Sequence, residues 1–131
     1  MIFLDTDIIS YYFNANTKIK EKILEIIDND ENICTTVINI YEILKGLRWK
    51  NNEKKEKQFK EFLEDVTIFS IDNDAIDIAS ELYSNLRKNG KTPGDADILI
   101  SAIVIRNEGT LVSNNTKHYE DINQLKLINW I

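Results

Sequence analysis

The sequence contains very little cysteine, histidine, proline and glycine, and each shortage argues against a class of protein. Its 131 residues include one Cys, one His, one Pro and four Gly. Cys34 cannot form an internal disulfide, so we expect a protein of the reducing cytoplasm. The lone His118 suits neither a nucleophilic triad nor a histidine-rich metal cluster. The scarcity of Pro and Gly argues against a disordered chain.

Long hydrophobic runs are missing as well. No apolar segment is long enough to cross a bilayer, and no positively charged, apolar leader opens the chain. The apolar fraction of 43% and the charged fraction of 29% are ordinary for a soluble globular protein. We therefore expect a cytoplasmic protein without a membrane partner, folded as a single domain over residues 1–131.

The charge is acidic overall but unevenly distributed. A formal net charge of −6 at pH 7 argues by itself against a nucleic-acid partner. Basic residues nevertheless dominate the segment from Lys45 to Lys60, which is typical of a solvated helical face. A divalent metal would let an acidic site bind a phosphate substrate.

Strand-like and helical patterns alternate along the chain. Apolar and alternating runs predict strands at 2–5, 33–36, 66–71, 110–113 and 125–130. Helical spacing of apolar residues predicts helices between them, including 37–49 and 72–88. The expected fold is α/β, with a mostly parallel central sheet of about five strands and helices on both faces. Ligands of such sheets bind beyond the carboxyl ends of the strands.

Two carboxylates follow the first predicted strand, in the stretch Asp5-Thr6-Asp7. Capping of the next helix explains one of them, but Thr6 could cap equally well. Glu42 lies in a strongly apolar helix with only Lys45 as a local partner, and a Gly one turn further on suggests the close approach of another backbone or of a ligand.

A second acidic segment precedes another apolar helix. Thr92, Pro93 and Asp95 have the spacing of a capping box, which explains Asp95 without a function. Asp97 lies a turn inside a helix that is apolar on nearly every side, so a bound cation is its simplest partner. Converging carboxylates select Mg²⁺ or Mn²⁺, and metal-assisted phosphodiester hydrolysis is the leading reaction.

Four stretches together resemble the successive motifs of PIN-domain ribonucleases, and more narrowly of the VapC toxins of VapBC toxin–antitoxin pairs. The stretches are FLDTDII, INIYEILKG, GDADILISAI and LVSNNTKHYEDI, and they cover essentially the whole chain in order. The resemblance implies a PIN-like domain that cleaves RNA with Mg²⁺ (or Mn²⁺), a homodimer, and inhibition by a cognate antitoxin that inserts a basic side chain into the site. We place a dimer contact at Tyr11, Tyr12 and Phe13.

By the same resemblance, Asp5, Glu42 and Asp97 match the metal-binding and catalytic acids of the family. Asp97 is the match rather than Asp95, because the family's Asp stands three residues before a triplet like Ile100-Ser101-Ala102. Asn115 stands where many members carry a fourth Asp, and it completes the catalytic set. The supporting residues are Thr6, Asp7, Asp95 and Ser113.

Two alternatives remain open at this point. Asp5 and Asp7 also resemble the nucleophile and acid of a haloacid-dehalogenase-type phosphatase, although that class assigns no role to Glu42. A binding module whose acidic pocket holds an ion or a basic peptide would need no catalysis.

Overall fold

The protein, described here over residues 1–131 by a computed structural model, is built around one five-stranded sheet. The strands are β1 (Ile2–Leu4), β2 (Ile33–Thr36), β3 (Thr67–Phe69), β4 (Thr110–Val112) and β5 (Lys126–Ile128). Their order is β3-β2-β1-β4-β5 and every pairing is parallel. The predicted parallel sheet is confirmed, and β1 lies at its centre.

Seven helices connect the strands and cover both faces of the sheet. They are α1 (Thr6–Phe13), α2 (Thr17–Asp28), α3 (Val37–Trp49), α4 (Glu53–Leu63), α5 (Asn73–Lys88), α6 (Asp95–Arg106) and α7 (Thr116–Tyr119). None of them combines the length and the apolar character that a bilayer crossing requires.

Two separate hydrophobic clusters show how the strands divide the core. Side chains alternate between the faces of a strand, so Phe3 and Leu4 of β1 enter different clusters. The cluster around Phe3 includes the buried faces of α5 and α6, while Leu4 packs with α1, α2 and α4. Cys34 of β2 is fully buried in the first cluster, as expected for a small hydrophobic residue.

The aromatic residues at the end of α1 pack within the chain. The rings of Tyr12 and Phe13 lie 4.9 and 5.5 Å from the ring of Phe62 in α4. The hydroxyl of Tyr11 accepts a hydrogen bond of 3.2 Å from Asn114 Nδ2. A dimer contact at these positions would therefore use only their remaining, half-buried surface.

The start of α6 differs from the prediction. The helix begins at Asp95 with Gly94 as its N-cap, and no side chain caps it. Gly94 has an extended backbone (φ −74°, ψ 142°), which places Thr92 and Pro93 outside the helix. The predicted capping box is therefore wrong. The bounds of α3, by contrast, are those that the sequence predicts, and the hydroxyl of Thr36 caps it by accepting from the backbone N–H of Asn39 at 3.2 Å.

Candidate active site

The site lies where the three central strands end. Because β2, β1 and β4 are parallel neighbours, the residues just beyond them meet at one edge of the sheet. Asp5 follows β1 and Ser113 follows β4, and their side chains are in direct contact. The distance between Ser113 Oγ and Asp5 Oδ2 is 2.7 Å, across more than a hundred residues of sequence.

Asp5 occupies the N-cap position of α1, but its carboxylate caps nothing there. It is 4% exposed and is held from two sides by neutral donors. Asn39 Nδ2 donates to Oδ1 at 3.0 Å, and Ser113 donates to Oδ2. No basic side chain reaches this buried carboxylate within ion-pair distance. The carboxylate of Asp5 is therefore held in place, but no positively charged side chain balances it.

A chain of hydrogen bonds connects the capping residue of α3 to Glu42. Thr36 Oγ1 donates to Asn39 Oδ1 at 2.7 Å, and Asn39 Nδ2 donates to Thr6 Oγ1 at 3.0 Å. Thr6 Oγ1 then donates to Glu42 Oε1 at 2.8 Å. Asn39 is completely buried, so this chain fixes the side chains of Asp5, Thr6 and the half-buried Glu42 relative to one another.

Asp97 reaches the site from the first turn of α6, because the helix begins only at Asp95, so the prediction that Asp97 lies a full turn inside the helix is wrong. Its side chain is 26% exposed, and its Oδ2 lies 3.3 Å from His118 Nδ1. Burial raises the pKa of Asp97 and the charge of Asp5 raises it further, while His118 and Tyr119 lower it. The sequence predicts no local partner for this acid, whereas the structure supplies His118 from α7.

Asp7 lies two residues after Asp5, in the first turn of α1, and faces the end of β4. Its Oδ2 accepts from the backbone N–H of Asn114 at 2.9 Å, while its Oδ1 is buried without a hydrogen-bond partner. Burial raises the pKa of Asp7, and the nearby charge of Asp5 raises it further. The folded chain therefore holds Asp7 and Asp97 at a cost in electrostatic free energy.

These side chains line one cleft of about 370 Å³. Its lining is Asp5, Thr6, Asp7, Glu42, Ala96, Asp97, Asn115, His118 and Tyr119. Asn115 stands exposed at the edge of the cleft, and its backbone N–H donates to Ser113 Oγ at 3.1 Å. Two residues that the sequence singles out are not part of this lining: Ser113 is buried behind the cleft and bonded to Asp5, whereas Asp95 is exposed and lines a different cavity between α5 and α6.

Three residues of the site were not predicted to belong to it. For Asn39 the sequence does contain a weak indication. An Asn in the apolar run INIYEIL needs a polar partner wherever the helix is buried. Tyr119 is 2% exposed, and burial together with the charges of Asp5 and Asp97 raises its pKa far above the ordinary range. His118 meets Asp97 only because the fold brings α7 next to α6, and no spacing in the sequence indicates that contact.

The oxygen atoms that line the cleft are of the kind that bind a divalent metal ion. Four carboxylates face a cleft that no Lys or Arg lines, and one buried oxygen, Oδ1 of Asp7, has no partner. Oxygen ligands of this kind suit hard cations. The acids do not stand as a gathered ligand group, since no three of them are close enough to hold an ion together. Asp5, Glu42 and Asp97 each contact a neighbouring side chain instead, so to hold one ion together these side chains would have to turn toward it.

Comparison with known proteins identifies the class to which this fold and cleft belong. Residues 2–123 match the PIN domain family, and the chain is a member of it. Ribonucleases of this family are metal-dependent in general. The assignment decides against the haloacid-dehalogenase-type phosphatase.

The relatives within the family are specific. The chain is 31% identical to Ribonuclease VapC2 of Haemophilus influenzae over 134 residues, covering 98% of this chain and 96% of the relative. It is 29% identical to Ribonuclease VapC2 of Rickettsia felis, covering 97% and 96%. Among solved structures, VapBC2 from Rickettsia felis bound to a DNA fragment from its promoter matches over 100% of both chains, with a TM-score of 0.88 and 28% identity.

Proposed function

We propose that this protein is a metal-dependent endoribonuclease and the toxin of a type II toxin–antitoxin pair. The observation that carries the proposal is the cleft of four carboxylates at the carboxyl end of β1. Sequence identity of 29% and 31% to two VapC ribonucleases, over nearly the full length of each pair of chains, supports it.

Asp5, Glu42 and Asp97 are the residues that would hold the metal. Mg²⁺ is the proposed ion, with Mn²⁺ as a substitute, because the available ligands are carboxylate oxygens. When bound, such an ion supplies a Lewis acid for a phosphate oxygen and lowers the pKa of a water molecule.

The remaining residues orient the acids and the substrate. Asn39 and Ser113 fix both oxygens of Asp5, and Thr6 fixes one oxygen of Glu42. Asn115, exposed at the edge of the cleft, offers an amide that can donate to a phosphate oxygen without adding negative charge. Asp7 contributes a further charge and positions the loop after β4 through Asn114.

A cognate antitoxin is the proposed protein partner, and the cytoplasm is the proposed compartment. A structure with 28% identity contains a VapBC pair, and the present cleft lacks any Lys or Arg of its own. A basic side chain from an antitoxin would meet four carboxylates there and would exclude a metal ion by charge. A homodimer completes the proposed assembly.

Cleavage of a panel of labelled RNAs tests the function. Purified protein without antitoxin should cleave in Mg²⁺ or Mn²⁺ and not in EDTA. Asp97→Asn should abolish cleavage, whereas the matched control Asp95→Asn, two residues away on the same helix but outside the cleft, should cleave like wild type.

Thermal unfolding adds a readout that does not depend on activity. A bound ion stabilises the folded chain, by about 2.7 kcal/mol at a concentration of 100 Kd, so Mg²⁺ should raise the midpoint of wild type far more than that of Asp97→Asn. Metal-dependent stabilisation without cleavage of any RNA would favour the non-catalytic binding module. Equal cleavage by wild type and Asp97→Asn would contradict the proposed site.

A further inference from the structure

The end of α3 carries an unusually exposed aromatic side chain. Trp49 is 86% exposed, the largest exposed fraction among the large hydrophobic residues of the chain, and Tyr41 on the same helix is 63% exposed. An indole ring left in water has a flat apolar surface available to a partner. The acidic cleft uses Glu42 of this helix, but it does not involve Trp49.

Helical spacing connects Trp49 to the cleft. Positions 42, 46 and 49 are neighbours on one face, because residues three and four apart lie above one another. Trp49 stands about 10 Å along the helix axis from Glu42. Between them Gly46 presents bare backbone, and nothing lies within 4 Å of the position that a Cβ would take. The helix surface between Glu42 and the indole is therefore open at Gly46.

The same face offers a positive charge. Lys45 is exposed, and its Nζ lies over the ring of Tyr41, 5.1 Å from the ring centroid. Lys45 makes no ion pair within the chain, and neither do Lys50, just after α3, and Lys54 of α4. The basic charge is therefore available to an anionic partner.

We propose that the face formed by Glu42, Lys45, Gly46 and Trp49, here called the α3 track, binds an unpaired nucleotide beside the scissile phosphate. The base stacks on Trp49, the backbone lies over Gly46, and Lys45 contacts a phosphate. This inference rests on the proposed ribonuclease function and adds to it a base-binding subsite, which takes a single-stranded segment of the RNA. A base within a duplex is already stacked and cannot turn its face to the indole, so duplex RNA is excluded.

Fluorescence of Trp49 tests binding separately from cleavage. Trp130→Phe leaves Trp49 as the single indole, and Asp97→Asn in the same protein prevents turnover. A short single-stranded RNA in Mg²⁺ should quench the remaining emission, and the matching RNA duplex should not. The Trp130→Phe protein that keeps Asp97 should cleave the RNA. If RNA quenches the emission but this protein does not cleave it, the proposed nuclease is refuted while the α3 track stands. Binding without any change in Trp49 emission would refute the track.

Cleavage kinetics of the active enzyme provide the second test. Trp49→Ala should raise KM roughly tenfold or more, the range expected for loss of one base–aromatic stack, with a smaller effect on kcat. Tyr83→Ala is the matched control, since Tyr83 is an exposed aromatic (45%) on α5, away from the cleft. Unchanged KM in Trp49→Ala would overturn the proposal.

Gly46 separates binding from stability. Gly46→Ala and Gly46→Leu should both raise the thermal midpoint by a few degrees, because Gly is unfavourable inside a helix. Only the larger side chain should raise KM strongly, by covering the bare backbone. Light scattering of wild type and Trp49→Ala completes the test: a change in mass on losing the indole would assign this face to a second copy of the chain and would refute the RNA track.

Discussion

Asn39→Ala removes the residue that connects three elements of the site. The buried amide donates to Asp5 Oδ1 and Thr6 Oγ1, both at 3.0 Å, and accepts from Thr36 Oγ1 at 2.7 Å. A methyl group replaces none of these bonds. The substitution leaves Asp5 with Ser113 as its remaining side-chain donor and leaves the Thr36 hydroxyl without its acceptor.

The expected loss of stability follows from those bonds. A hydrogen bond to a charged group contributes about 1.5–3 kcal/mol, and each neutral one contributes about 1 kcal/mol. The three together give about 3.5–5 kcal/mol, and water entering the space of the amide reduces the loss to about 3 kcal/mol. That is a large fraction of the 5–15 kcal/mol or so typical of a domain.

Urea unfolding in EDTA measures this loss, and RNA cleavage in Mg²⁺ measures its consequence. The midpoint should fall by more than about 1 M with an unchanged slope, and kcat should fall because Asp5 and Glu42 are no longer held together. Asn107→Ala is the matched control: that amide donates a single bond of 2.8 Å to Ile103 O, far from the cleft, so about 1 kcal/mol and no activity should be lost. An Asn39→Ala protein as stable as Asn107→Ala would refute the reasoning on stability. Full activity would refute the role in orienting the acids.

Two further predictions concern pH and packing. The pKa values of Asp7 and Asp97 are raised above the ordinary 3.8, so the folded chain retains protons that the unfolded chain has lost. Their contribution to stability is therefore lost as pH rises from about 4 through the raised values, and in EDTA Asp7→Asn should gain stability over wild type on going from pH 4 to 7, measured by urea unfolding. A Cβ at Gly109 would collide with the ring of Phe3, so Gly109→Ala should lose about 1–3 kcal/mol in the same assay, and an unchanged midpoint would contradict that packing.

The sequence predicts the sheet and the convergence of the acids for the same reason. Strand patterns before Asp5 and Ser113 place both residues at carboxyl ends, and parallel neighbours share that edge. The bounds of α3 are predicted because the strand-like run at 33–36 gives way to a strong apolar period, and the Thr36 cap of the structure lies at that same boundary. Local signals and tertiary structure coincide in these elements.

Local signals fail at the start of α6 and at the contacts between distant segments. Thr92 and Pro93 carry good capping chemistry, yet the helix starts at Asp95 after an extended Gly94. That start puts Asp97 in the first turn, where it lines the cleft. Tertiary packing, rather than a capping side chain, therefore determines where the helix begins. The contact between Asp97 and His118 likewise depends on how α6 and α7 are placed, which no short spacing encodes.

The neutrality of the donors explains how the site can be both ordered and reactive. Asn39 and Ser113 hold Asp5 where an Arg would have held it more strongly, since ion pairs give stronger hydrogen bonds. A fixed guanidinium would also have cancelled the charge that a metal ion needs. The charge of Asp5 raises the pKa of both Asp7 and Asp97, and a cation bound among these carboxylates would relieve the repulsion. A basic side chain of an antitoxin would relieve the same repulsion, so catalysis and inhibition would compete for one property of the fold.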